Sequence, residues 1–195
     1  MASTLKRAKT LDEEQLDKLL AHIETHSTMP ERDRLMVLLS FKAGLRVGEI
    51  AKIDLAALSD AEGRIGRTIV VSGKIAKKGR EREVPMNPAV KKAVSAFIKA
   101  YPKAKFVAVS SQNKRDQMTP NALAQYVRRL FLSAGFQDCS SHSGRRTFGT
   151  TLARRANNYN RSLRDVQKLM GHARLDTTER YIDVASESYD LVASL

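Results

Sequence analysis

The sequence predicts a mainly helical α+β domain with one small antiparallel sheet, on three observations. Apolar residues recur at helical spacing from Leu11 to Met170. Two short β-branched runs, Arg67–Ser72 and Glu83–Met86, flank a stretch rich in Lys and Gly. The 195 residues are 42% hydrophobic but only 6% aromatic, with no Trp, which suits one aliphatic core.

Each element has its own signal. Thr10-Leu-Asp-Glu13 reads as a capping box, with Leu16, Leu19, Leu20 and Ile23 following on one face, so a helix is expected over 11–26. Pro30 opens a second helix through Leu35, Met36, Leu38 and Leu39 that stops near Gly44. A short third helix runs through Gly48–Lys52. The two β-branched runs make a hairpin around a basic loop, with Pro85 marking a strand end or edge. Asn87-Pro88 starts a helix to about Tyr101, and Thr119-Pro120 another to about Ala134, stopped by Gly135. Helices over 143–155 and 162–170 are separated by the Asn-rich stretch Asn157–Asn160. Asp176-Thr-Thr-Glu179 caps a last short helix expected to contain Tyr181.

Charge narrows the function. The net charge of +13 is unevenly placed: residues 63–168 hold 23 basic and 5 acidic side chains. A surplus kept for solubility would be interspersed, so a polyanion, and nucleic acid in particular, is the expected partner. No run of about 18 apolar residues offers a membrane span, and MASTLKRAKT lacks the apolar region of a secretory signal. The single cysteine, Cys139, forms no internal disulfide, which fits a cytoplasmic setting.

Metal and nucleotide chemistry find little support. Cys139-x-x-His142 has the spacing of half a zinc site, but the remaining His residues, His22, His26 and His172, do not complete one. The acids of the basic region, Glu81, Glu83, Asp116, Asp138 and Asp165, make no two-metal cluster, and Glu81 and Glu83 alternate with Arg80 and Arg82 as a solvated strand edge would. No Gly-rich loop ending in Lys-Ser/Thr is present. No cofactor is expected. What remains is Arg46, with Glu49 three residues on to orient it, His142-x-x-Arg145, and Gly171-His172 followed by Tyr181. Guanidinium groups match phosphate oxygens bidentately, and two of them with imidazole donors could neutralise a pentacoordinate phosphorus.

Taken in order, GLRVGE, SHSGRRTFGTTLARR and LMGHARLDTTERYI resemble the three boxes of the tyrosine recombinases, the phage-integrase family, over about residues 10–190. The resemblance implies the catalytic-domain fold of that family. It also implies that Arg46 and Arg145 contact a scissile DNA phosphate, that His142 and His172 assist as hydrogen-bond and proton-transfer groups, and that Tyr181 is the nucleophile. SGKIAKKGREREVPM is similar to the family's lysine hairpin; counting back from Val84-Pro85 puts the general acid at Lys77, with Lys78 next and Lys74 third. Neighbouring arginines would lower that lysine's pKa toward neutrality. Lys74, Lys78, Arg80, Arg82 and Arg146 are expected to bind DNA. Three features depart from the family pattern. Gly144 and Arg146 stand where Leu and His are common. The Asn157–Asn160 loop is slightly long, and the family's N-terminal core-binding domain is not expected in this sequence, which resembles the catalytic domain alone, either as in the short fimbrial DNA invertases or as a fragment of a longer protein.

The expected organisation is a basic segment 1–10, a catalytic domain 11–195 and a C-terminal tail over about 185–195. The tail's Tyr189, Leu191, Val192 and Leu195 would either reach a neighbouring subunit or cover the domain's own core. The implied activity is integration, excision or inversion of DNA through a 3′-phosphotyrosyl intermediate without metal or ATP. The implied assembly is a homotetramer on two paired duplex sites, in a bacterial, archaeal or phage setting. A non-catalytic DNA-binding regulator on the same scaffold, or an enzyme like type IB topoisomerases and telomere resolvases, remains the alternative.

Overall fold

In a computed structural model, residues 8–60, 62–76, 79–111, 116–179 and 181 are described. They form two units, residues 1–148 and 149–195, with the boundary inside one helix.

The first unit opens with α1 (Glu13–His26). Its N-cap is Asp12, not Thr10: Asp12 Oδ1 accepts from the Gln15 N–H at 2.8 Å while Gln15 Oε1 accepts from the Asp12 N–H. Leu11 is therefore outside the helix, buried at the position before the cap, and Leu16 is buried one turn in, the arrangement of a hydrophobic staple. α2 (Pro30–Phe41) is the central helix. Leu35 to Leu39 are all buried, and α1, α3 (Val47–Lys52) and α4 (Pro88–Ala100) pack around it. α4 starts at Asn87, whose side chain caps Ala89, and α5 (Pro120–Ser133), which packs against α3, starts at Thr119, whose side chain caps Ala122.

Two polar ties fix the start of α2. Asp33, fully buried, accepts from Arg32 Nε at 2.8 Å, from Ser27 Oγ at 2.5 Å and from the Tyr126 hydroxyl of α5. Arg32 Nη1 donates to the Val109 carbonyl at 2.8 Å. A buried ion pair costs desolvation, and these added bonds are what make it tolerable.

The sheet is the expected hairpin. β1 (Thr68–Val71) and β2 (Arg82–Pro85) run antiparallel, with Ile69 opposite Val84 and Val71 opposite Arg82. Ile69, Val71 and Val84 face the core, whereas Thr68, Val70, Glu83 and Pro85 face out. The strand period then forces Arg82 inward with Val84, against the expectation of a solvated edge.

α6 (Ser143–Arg155) contributes its first turn to the first unit. In the second unit a 3-10 turn over Asn157–Tyr159 is followed by Asn160 at φ 51°, then α7 (Leu163–Met170) and α8 (Leu175–Glu179), which pack together. α8 starts earlier than expected and ends before Tyr181, whose N–H donates to the Thr178 carbonyl at 3.0 Å. The tyrosine thus sits in the turn just past the helix. Among the described residues no helix is long and apolar enough to cross a membrane.

Candidate active site

Arg46 is placed by a break between helices. Gly44 takes φ +65°, where a Cβ would run into the Phe148 ring, and the turn delivers Arg46 as the N-cap of α3. Glu49, one turn in, holds it twice: Oε2 accepts from the Arg46 N–H at 2.8 Å and Oε1 from Nη1 at 2.9 Å. The Arg46 side chain keeps 24% exposure while that of Glu49 keeps 2%, so the cation faces outward on a buried anchor.

The same carboxylate takes a second arginine. Arg82 donates from Nη1 to Oε1 at 2.9 Å and from Nη2 to Oε2 at 2.7 Å. Burial pushes the Glu49 pKa up, but the hydrogen bonds and charge of Arg82, with those of Arg46, more than offset this and leave it below the usual value. Arg82 is only 5% exposed. That burial and the bidentate pairing set Arg82 apart from the solvated strand edge expected of it. The signal for this was present in the strand alternation, since an arginine sharing a face with Val84 must find a buried anion.

Arg145, at the third position of α6, is buried and donates from Nη1 to the Gly44 carbonyl. Arg145 and Arg46 are thus tied to one short segment. His142 caps the helix: its carbonyl accepts from the Arg146 N–H at 2.9 Å, and its ring is exposed, within 3.5 Å of Ser141 Oγ through Nδ1. It lies just outside the helix. Gly144 has a steric reason for lacking a side chain, since a Cβ there would approach Ser40 Oγ to 2.5 Å and the Phe41 ring to 2.6 Å. Phe41 fills the space that a larger residue at 144 would need. Cys139, half a zinc site by spacing, is buried with its thiol pKa pushed up by that burial, while His142 faces solvent.

In the second unit a glycine again sets the geometry. α7 ends with Gly171 at φ 61°, and the His172 N–H closes back on the Gln167 carbonyl at 3.1 Å, so that the histidine turns inward. His172 is 9% exposed; its Nδ1 lies 2.9 Å from Thr178 Oγ1, and its ring stacks on Tyr181 with centroids 5.6 Å apart. Thr178 was not singled out by the sequence. The Thr-Thr pair upstream of Tyr181 was its only trace. Gly149 lets Tyr181 approach, as a Cβ there would come within 2.7 Å of the ring.

Two of the other tyrosines, Tyr101 and Tyr126, are engaged elsewhere. Tyr101 donates to Glu31, and burial with that carboxylate pushes its pKa up to about 12. Tyr126 is likewise raised, by burial first and then by Asp33. Tyr159 is 72% exposed in the Asn-rich turn. Of the hairpin residues, Lys74 and Arg80 are exposed beside the loop ends, while Arg146 is half-buried. Lys77, Lys78, Tyr189 and the tail lie outside the described residues.

Comparison with known proteins follows the motifs. Residues 9–188 match the phage integrase family. The chain is 32% identical over 176 residues to tyrosine recombinase XerC of Rhodospirillum centenum, covering 85% of this chain and 48% of that one. It is 32% identical over 186 residues to XerD of Vibrio vulnificus, covering 92% and 57%. The chain therefore spans about half the length of the curated relatives it matches. Among solved structures, the Tn1549 transposon integrase in complex with transposon right-end DNA aligns with TM-score 0.77 and 21% identity over 99% of this chain and 67% of that one. The XerH recombinase bound to its difH substrate aligns with TM-score 0.70 and 22% identity over 100% and 56%. Both likenesses are of fold.

Proposed function

The chain belongs to the phage integrase family, and on that premise we propose that it is a site-specific DNA recombinase that cuts and rejoins strands through its own tyrosine. Tyr181 Oη attacks a DNA phosphorus, the P–O5′ bond breaks, and a 3′-phosphotyrosyl link and a free 5′-hydroxyl result. The tyrosine proton passes to an imidazole, His172 or His142, and Lys77 supplies the proton taken by the leaving 5′-oxygen. Arg46 and Arg145 bear on the phosphate oxygens as negative charge builds in the transition state. The ester energy stays in the covalent link, so the 5′-hydroxyl of another strand reverses the step without ATP. No step calls on a metal.

The observation that carries this reading is the pairing of two arginines on the Gly44–Glu49 segment, one oriented by Glu49 and one by the Gly44 carbonyl. A segment that spends a buried carboxylate and a main-chain carbonyl on presenting two cations is built for an anion. Double-stranded DNA is the substrate, in keeping with the DNA held by the Tn1549 and XerH proteins. The working assembly is a homotetramer on two paired sites, with the apolar tail of each subunit passed to its neighbour. The setting is the cytoplasm of a bacterium; the similar recombinases XerC and XerD come from bacteria.

A nicked suicide duplex tests the proposal. The cleaved strand should become covalently attached to the protein, Tyr181→Phe should abolish the adduct, and EDTA should leave it unchanged. An adduct with Tyr181→Phe, or its loss in EDTA, would overturn the mechanism. Salt-sensitive binding with no adduct at all would identify a non-catalytic DNA-binding regulator, and relaxation of plasmid without strand exchange would identify a topoisomerase.

A further inference from the structure

Glu49 is a common acceptor for two arginines from different elements. Its Oε1 accepts from Arg46 Nη1 and Arg82 Nη1, each at 2.9 Å. Its Oε2 accepts from the Arg46 N–H at 2.8 Å and from Arg82 Nη2 at 2.7 Å. Arg46 opens α3, whereas Arg82 is the first residue of β2, paired with Val71 at the last rung before the hairpin loop. Arg82 therefore stands where the loop over 72–81 rejoins the ladder. That loop carries Lys74, Lys77, Lys78 and Arg80. At its other end the chain stays close: a Cβ on Gly73 would come within 2.9 Å of the Gly79 carbonyl oxygen. The loop base is narrow, and it is fixed to the segment presenting Arg46 by one buried carboxylate.

We infer that Arg82 is a positioning residue: by bridging to Glu49 it fixes the base of the lysine hairpin against the segment that presents Arg46, so that a hairpin lysine and Arg46 meet the same phosphate. This rests on the recombinase reading above. Arg82 does not itself touch DNA, because both terminal nitrogens are committed to Glu49 and the side chain is 5% exposed. A lysine in its place has one ammonium and cannot span both carboxylate oxygens in the fork geometry of a guanidinium.

The test separates leaving-group protonation from every other step. Single-turnover cleavage is measured on two suicide duplexes, one ordinary and one with sulfur replacing the bridging 5′-oxygen at the cut. A thiolate leaves without a proton, so the sulfur duplex needs no correctly placed lysine. Arg82→Met should slow the ordinary duplex by about 10²-fold, the scale of general-acid catalysis, and the sulfur duplex by less than about tenfold. Duplex affinity and its salt dependence should stay as in the wild type. Arg82→Lys should show the same selectivity at smaller amplitude, and it carries the test if Arg82→Met does not fold. Equal slowing on both duplexes, or a salt slope reduced by about one as for a lost phosphate contact, would overturn the inference alone. No adduct from the wild-type chain on either duplex would overturn the recombinase reading and this inference with it.

Discussion

Arg145 donates from Nη1 to the carbonyl of Gly44, the residue whose left-handed backbone turns the chain out of α2 and toward Arg46. One carbonyl thus fixes the guanidinium from α6 beside the segment that presents the guanidinium at α3. Gly44→Ala should be felt in both places. The left-handed conformation at φ +65° is costly for an L side chain, at about 1–3 kcal/mol, and the Phe148 ring occupies the site of the new methyl. Urea denaturation should therefore show a loss of at least about 1 kcal/mol. Adduct formation, measured under conditions where the variant is fully folded, should fall by about 10²-fold, the scale of one misplaced oxyanion donor. A destabilised variant with an unchanged cleavage rate would show that this anchor serves the fold alone.

Thr178 holds the buried His172 ring through Nδ1, and the face of that ring stacks on Tyr181. Thr178→Val removes the oxygen and leaves a buried ring nitrogen short of a partner, a cost of about 1–3 kcal/mol. Adduct formation should slow, and Thr178→Ser, which keeps the hydroxyl, should restore most of the rate. The informative comparison is the Val variant against the Ser variant at matched folded fraction. Equal rates would mean that this hydrogen bond does not orient the histidine for the reaction.

The Glu49 carboxyl titrates lower in the folded chain than its ordinary value of 4.5, because two arginines outweigh its burial. A carboxyl depressed in this way contributes stability that is present in full above the unfolded value and is lost as pH falls through the folded one. At pH 7, Glu49→Gln should cost about 3 kcal/mol, since it leaves the buried Arg82 guanidinium without its counter-charge. The gap between wild type and variant in urea midpoint should stay constant from pH 7 to about pH 5 and narrow on further acidification. A gap that does not change at acid pH would mean that the Glu49 carboxyl is not depressed in the native chain.

The sequence carried the elements well because their signals are local. Pro30, Asn87-Pro88 and Thr119-Pro120 start helices at the residues expected, and the β-branched runs pair as expected. The misses lie where two signals competed or where a partner was distant. Thr10 and Asp12 both suit a cap, and burial of Leu11 decided for Asp12. Tyr181 follows α8 rather than lying in it, because the helix begins at Leu175 and spends its five residues before reaching the tyrosine. The site motifs named Arg46, His142, Arg145, His172 and Tyr181, with Glu49 three residues on to orient Arg46, but not the distant contacts around them. Glu49 to Arg82 spans 33 residues and Arg145 to Gly44 spans 101, and no local pattern reports a contact of that separation. Arg82 was legible in kind, as a charge on the inward face of a strand, but four basic neighbours in the loop made its charge look like part of a solvated surface.

The same distinction sorts the basic residues by what each should do to DNA affinity. Lys74 and Arg80 flank the hairpin loop and are exposed, so each is available to a phosphate, as is the half-buried Arg146 after the histidine cap. A phosphate contact releases about one counterion, so its loss weakens binding evenly across sequences and lowers the slope of log K against log salt by nearly one. Lys74→Ala and Arg80→Ala should each do this, and the double variant should lose close to two. Residues 63–168 hold 23 basic side chains, yet Arg82 is buried with both terminal nitrogens on Glu49, so the slope should fall short of that number. Affinity for a non-specific duplex, titrated from about 50 to 200 mM salt, reads this out directly. If Lys74→Ala and Arg80→Ala leave the slope unchanged, the hairpin is not part of the DNA grip, and the surplus charge must act elsewhere on the chain.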